Sequence, residues 1–223
     1  MEENPTEIVS IYDHKTDNYH VSGTETSLRQ PALDALNQML DAFYVATGHQ
    51  DMIVISGYRT TQQQQELYDA DLAETGEQTS TRVALPGHRE HQTGLSVDLA
   101  LKNGVWDIIR PEFTCGDICM AFREMSTRYG FVERYPQNKE NITGIAHEPW
   151  HFRYIGTPHS EIMAKHDMCL EEYIEFIKGF VRGQREYYHS TVMQKVYVSY
   201  LPAPDSGTVC AEVDEGFPYK ISG

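Results

Sequence analysis

The heptapeptide "LSVDLAL", residues 95–101, sets an aspartate in the middle of an apolar run, and no other stretch restricts the fold as tightly. A short apolar run that follows a glycine reads as a buried strand. A buried carboxylate with no partner costs on the order of several kcal/mol. Whatever the chain folds into must therefore bring Asp98 a salt bridge, a cap or a metal ion. His91 lies seven residues earlier, in "HREHQTGLSVDLA". That odd separation puts the two side chains on opposite faces of any single regular strand. His91 reaches Asp98 only if the chain bends between them, and Gly94 tolerates such a bend. Taken alone, H-x6-D leaves metal and salt bridge both open.

A second cluster, "HEPWHFRYIG", follows at residues 147–156. Pro149 removes a ladder donor and argues against the interior of a central strand. It also excludes the helical H-E-x-x-H zinc motif, which needs an unbroken turn. A bulge near Pro149 would aim Glu148 and His151 into one cleft; the alternative is a surface glutamate and a half-buried histidine beside Trp150. Pooled, the clusters hold two imidazoles, one carboxylate and one spare carboxylate. A catalytic zinc site needs that set: three protein ligands, a fourth position for water, and a base to take the proton of that water. His88 and His147 flank these positions and read as supporting or solvent-facing groups.

The surroundings read as mixed structure. "PALDALNQMLDAFYVAT" spaces Leu33, Leu36, Leu40, Phe43 and Tyr44 at helical steps and predicts a helix from Pro31 to Thr47. "DMIVISGYR" predicts a buried strand that delivers Tyr58 and Arg59 at its end. A helix over Thr61–Leu72 is expected to turn Leu67, Tyr68 and Leu72 inward, and a long loop follows. Ile118, Phe122, Met125 and Tyr129 predict another helix that stops at Gly130. Next comes a hairpin whose second strand begins near Ile145, then a helix from about Leu170 to Lys178. "QKVYVSYLPAP" has strand character. Strands and helices do not alternate regularly, so the expected class is α+β, a small mostly antiparallel sheet with packed helices. The expected organisation is an N-terminal extension at 1–30, one domain at 31–190 and a β-rich C-terminal appendage at 191–223.

With 40% hydrophobic residues in 223, the chain can bury one sizeable core. Its formal net charge of −15 argues against a nucleic-acid partner, because such affinity comes largely from Lys and Arg. No run of about 18 apolar residues is present, so no transmembrane segment is expected. The N-terminus lacks signal-peptide features, but a removed leader or anchor would leave the same appearance. An extracytoplasmic location is expected ahead of the bacterial cytoplasm. Cys115 and Cys119, four apart in a helical pattern, are neighbours able to pair, or simply small buried residues.

The segments "SGYRTTQQQQELY", "LPGHREHQTGLSVDLAL", "GFVERYPQNKENITGIAHEPWHFRYIG" and "CLEEY" resemble, in order and spacing, the VanY-type D-alanyl-D-alanine carboxypeptidases. These are similar to the wider group of zinc peptidases that includes the vancomycin-resistance D,D-dipeptidases and the hedgehog-like fold. The match covers roughly residues 50–178. The resemblance implies His91, Asp98 and His151 as ligands of Zn2+ and Glu148 as general base. It implies Arg59 as the cation that neutralises the oxyanion or the substrate carboxylate. Gln64 is implied as a substrate contact, Trp150 as a pocket wall, and Tyr58 and Tyr154 as groups packed around it. One departure is Arg89, which stands where the family commonly has a substrate-binding serine; it would crowd the pocket, bind an extra carboxylate or point to solvent. The implied activity is zinc D,D-carboxypeptidase action on peptidoglycan precursors or stem peptides ending in D-Ala-D-Ala. The alternatives are an L,D-carboxypeptidase on tetrapeptide stems, a D,D-dipeptidase on free D-Ala-D-Ala, and a non-catalytic module that binds wall peptides.

Overall fold

The two apolar runs picked out from the sequence lie side by side at the centre of a five-stranded sheet. The structure is a computed structural model, which describes residues 7–80, 90–104, 106–114, 116–191, 195–202 and 218–221. It divides into two compact units, Met1–Cys169 and Leu170–Gly223. In the first unit, β1 (Ile8–Ser10), α1 (Ile11–His14), β2 (His20–Val21) and β3 (Ser27–Arg29) precede the long helix α2 (Gln30–Thr47). Strand β4 (Met52–Ser56) leads to α3 (Thr61–Thr75), and β5 (Ser96–Leu101) to α4 (Asp117–Ser126). Strand β6 (Phe131–Glu133), the short α5 (Glu140–Thr143), β7 (His151–Tyr154) and α6 (His159–His166) complete it. The main sheet has the order β2-β4-β5-β7-β6, in which only the β2–β4 pair is parallel. The α+β class with a mostly antiparallel sheet is what the sequence predicted.

Residues 7–30 are built into this frame. β2 is an edge of the main sheet, β1 pairs with β3, and Ile11, Tyr19 and Leu28 are fully buried. One face of the sheet, through Met52, Val54, Val97 and Leu99, packs into the main apolar core with Leu33, Leu36, Met39 and Phe43 of α2. Phe122 of α4 meets Phe43, Phe113 and Phe152 edge-on, with ring centroids 5.1–5.7 Å apart. Alternation along β5 sends Ser96, Asp98 and Ala100 to the opposite face. Ala100 there joins Ile53 and Ile55 in a second, small cluster. The sheet thus separates a dry core from the face that carries Asp98.

Two local expectations change. The inner face of α3 is Gln64, Tyr68 and Asp71, while Leu67 and Leu72 are only partly buried. The hairpin of β6 and β7 has its second strand starting at His151 rather than near Ile145, because α5 and a loop through Pro149 occupy the interval. Cys119 is disulfide-bonded, and Cys169 is buried. In the second unit, α7 (Leu170–Lys178) matches the predicted last helix, and β8 (Tyr187–Ser190) pairs antiparallel with β9 (Lys195–Val198). No helix among the described residues is long and apolar enough to cross a membrane.

Gly94 makes the bend that the spacing of His91 and Asp98 demanded. Its φ is +68°, the left-handed region that disfavours residues with a Cβ. Its N–H donates to the His91 carbonyl (3.1 Å), and its own carbonyl accepts from the Arg29 N–H (2.8 Å). An added Cβ would sit 2.6 Å from Ile8 Cδ1 and 2.9 Å from Arg29 Cγ. Gly94→Ala is therefore expected to lower unfolding stability by about 1–3 kcal/mol, from backbone strain and crowding together. Denaturant melts of the metal-free protein measure this, and an unchanged midpoint would contradict it.

Candidate metal centre

Strand register does most of the assembly. Asp98 on β5 lies directly opposite His151 on β7 and, across a bulge in β4, opposite Ser56. Cross-strand neighbours on one face are close enough for side chains to meet. The third member arrives from a single turn of 3-10 helix, Glu90–Thr93, that ends in the Gly94 bend and lowers His91 over the strand. His91, Asp98 and His151 are each at most 3% exposed. One ligand atom from each lies within 4.8 Å of the others.

The two imidazoles are held in opposite senses. His91 Nδ1 donates to the Gly57 carbonyl at 2.6 Å, and since a carbonyl only accepts, this nitrogen carries the proton. That leaves the His91 Nε2 lone pair facing Asp98 Oδ2 at 3.0 Å, buried and, among the described residues, with no hydrogen-bond partner. Burial drives His91 to a pKa of about 4, so two acceptors confront each other at neutral pH, a contact that a cation between them would relieve. His151 instead turns Nδ1 to Asp98 Oδ1, at 2.8 Å. Burial would lower its pKa, but the carboxylates of Asp98 and Glu90 outweigh this and raise it to about 9. For Asp98, burial pushes upward, yet His91 and His151 hold it well below the usual carboxylate range. These residues fit a divalent cation with a preference for nitrogen and carboxylate ligands, which describes zinc.

Charged groups surround the three. Arg59 donates from Nη2 to Asp98 Oδ2 (3.2 Å), and from Nε and Nη2 to Ser56 Oγ (3.0 and 2.6 Å). Its backbone N–H also reaches the His91 carbonyl at 3.3 Å. Glu148 lies not in a strand but in the turn before β7, where its carbonyl accepts from the His151 N–H. Its half-buried carboxylate is one of the charges that raise His151. Tyr135 stacks on the His151 ring at 5.3 Å and 24°.

The remaining predicted contacts sit on flanking elements. Gln64 is fully buried on α3, Tyr58 is partly exposed just after β4, and Trp150 packs against the main core beside β5. Tyr154 packs on Phe131. His147 pairs with Glu133, Nε2 to Oε1 at 2.8 Å. Arg89 and His88 lie outside the described residues. Sequence reasoning did not single out Ser56, Tyr135 or Glu90. The last is hidden between two histidines in "HREH", where its only signal was adjacency to a ligand.

These protonation states set how the site takes up metal. At pH 7 His91 is already neutral and Asp98 ionised, whereas His151 carries a proton that a metal must displace. Zinc uptake is expected to release about one proton, so apparent affinity rises about tenfold per pH unit between pH 6 and 8. Chelator competition across that range measures it, and a pH-independent affinity would contradict the assignment.

Comparison with known proteins follows the same lines. The family model for VanY, D-alanyl-D-alanine carboxypeptidase, matches residues 25–157. The bifunctional D-Ala-D-Ala dipeptidase and D-Ala-D-Ala carboxypeptidase VanXYC of Enterococcus gallinarum is 43% identical over 140 residues, which are 61% of this chain and 74% of that protein. Among solved structures, the vancomycin-resistance D,D-dipeptidase VanXYg, in complex with a D-Ala-D-Ala phosphinate analogue, superposes with a TM-score of 0.80 at 36% identity. That match covers 92% of this chain and 78% of the other. A variant of the D,D-pentapeptidase VanY from a VanB-type resistance cassette, in complex with Zn(II), gives a TM-score of 0.57 at 36% identity, covering 69% and 86%.

Proposed function

Since the chain belongs to the VanY-type D-alanyl-D-alanine carboxypeptidase family, we propose that it hydrolyses the terminal D-Ala-D-Ala bond of peptidoglycan precursors or stem peptides in a zinc-dependent reaction. The observation that carries this reading is the buried meeting of His91, Asp98 and His151, with the Glu148 carboxylate acting on the same His151. His91, Asp98 and His151 would hold the zinc ion, which would supply Lewis acidity to a water and to the scissile carbonyl. Glu148, on the turn that leads into His151, takes the proton of the attacking water and returns it to the leaving amine of D-alanine. Arg59 offers a buried guanidinium, held in place by Ser56, to the charge that develops on the scissile carbonyl oxygen. Gln64, Tyr58 and Trp150 contribute to the pocket that receives the peptide.

The bifunctional relative favours one second reading, cleavage of free D-Ala-D-Ala. Incubation with a pentapeptide stem, a tetrapeptide stem and the free dipeptide separates the possibilities through D-alanine release. Release from the pentapeptide is expected. Release from the tetrapeptide alone would move the activity to the L,D class, release from the dipeptide alone to the dipeptidases, and no release at all would favour a binding module.

A further inference from the structure

The chemistry just described makes no use of Glu90, although its carboxylate faces one zinc ligand while its backbone adjoins another. Oε1 accepts from Arg134 Nε at 2.6 Å, and Oε2 accepts from Ser96 Oγ at 3.3 Å. Oε2 also lies 3.6 Å from His151 Nε2 and 3.8 Å from Arg153 Nη1. Arg153 in turn donates to Thr93 Oγ1 at 2.8 Å, so the turn that carries His91 is tied twice to the strand that carries His151.

We propose that Glu90 is a positioning residue that fixes which nitrogen of His151 faces the metal. This rests on the zinc reading above. The stacked ring of Tyr135 sets the plane of the His151 imidazole, but a half-turn about χ2 keeps that plane and stacks equally well. Asp98 selects the observed orientation only while His151 Nδ1 carries a proton, and a ligand nitrogen carries none. The Nε2–H facing the Glu90 carboxylate at 3.6 Å is then the polar contact that distinguishes the two orientations; His151 Nε2 is buried and, among the described residues, makes no hydrogen bond. Carboxylates behind ligating histidines act in this way, fixing tautomer and ring direction. Arg134 and Arg153 hold the carboxylate in place from the far side, so Glu90 is itself fixed.

The full chain tests this through zinc affinity, measured by competition with a chromophoric chelator, and through the visible spectrum of the Co(II)-loaded protein. Glu90→Gln is expected to weaken zinc about 10–100-fold and to alter the cobalt spectrum at saturating metal, with far-ultraviolet circular dichroism unchanged. A residue that only neutralised Arg134 and Arg153 would leave the cobalt spectrum as it was. Wild-type affinity and spectrum in E90Q would overturn the proposal while the zinc reading stood. No zinc uptake by the wild-type protein would overturn both. Should E90Q fail to fold, Arg134→Gln loosens the same carboxylate from outside. About tenfold weaker zinc is expected there, and wild-type affinity would overturn the proposal.

Discussion

Glu148→Gln is expected to reduce kcat on a D-Ala-D-Ala pentapeptide by about 10²–10⁴-fold, the range general acid–base catalysis contributes, while bound zinc stays at the wild-type level. Glu148 is none of the three convergent ligands, so metal should be retained. It sits half-buried in a turn rather than in the sheet, so the fold should tolerate the change. If its task is proton transfer in the transition state, kcat and kcat/KM fall together and KM changes little. Steady-state kinetics together with metal analysis read all three quantities. A large rise in KM with kcat preserved would reassign Glu148 to substrate binding, and undiminished hydrolysis would remove it from the mechanism. Loss of zinc from the variant would make it a structural partner of His151.

Asp98→Ala is expected to do more, abolishing zinc binding and turnover and also destabilising the metal-free protein. Asp98 is buried between two cationic partners, Arg59 at 3.2 Å and His151 at 2.8 Å, with the neutral His91 ring at 3.0 Å. Removing one partner of a buried charge set strands the others without compensation, a loss of about 3–5 kcal/mol. With His151 protonated in the metal-free state, the stranded charges are Arg59 and His151 together. Urea melts in the presence of a chelator isolate this from any contribution of zinc. A variant as stable as the wild type would mean that Arg59 and His151 find other counter-charges, and that Asp98 is not the hub of the site. His91→Ala offers the contrast. His91 is neutral at pH 7, so zinc is lost while no charge is stranded, and the metal-free protein should lose less stability than in D98A.

Much of the metal centre was legible because its chemistry violates local expectation. An aspartate in an apolar strand and a histidine across a glycine bend each demand a partner, and strand register supplies it. Long periodic elements were readable for the ordinary reason that their apolar spacing repeats over several turns, as in α2 and α7. The short strands β1, β2 and β3 were not, since two or three residues cannot establish a period. Helix α3 misled because its buried stripe is polar: Gln64 and Asp71 face inward while Leu67 and Leu72 stay partly exposed. The start of β7 was placed too early because Ile145 invited a strand that Pro149 and the turn at Glu148 delay. Glu90 escaped notice for a further reason: its charged partners, Arg134, His151 and Arg153, are 44 to 63 residues away in the chain. Only the folded sheet brings them to one carboxylate.

The central claim, zinc-dependent cleavage of a D-Ala-D-Ala terminus at this site, is tested most directly by D-alanine release from a pentapeptide stem, followed through chelation and zinc return in one preparation. Release that stops when zinc is removed and returns when about one equivalent of zinc per chain is restored is the expected result. Release that continues at full rate in metal-free protein, or fails to return although zinc is bound again, would contradict it.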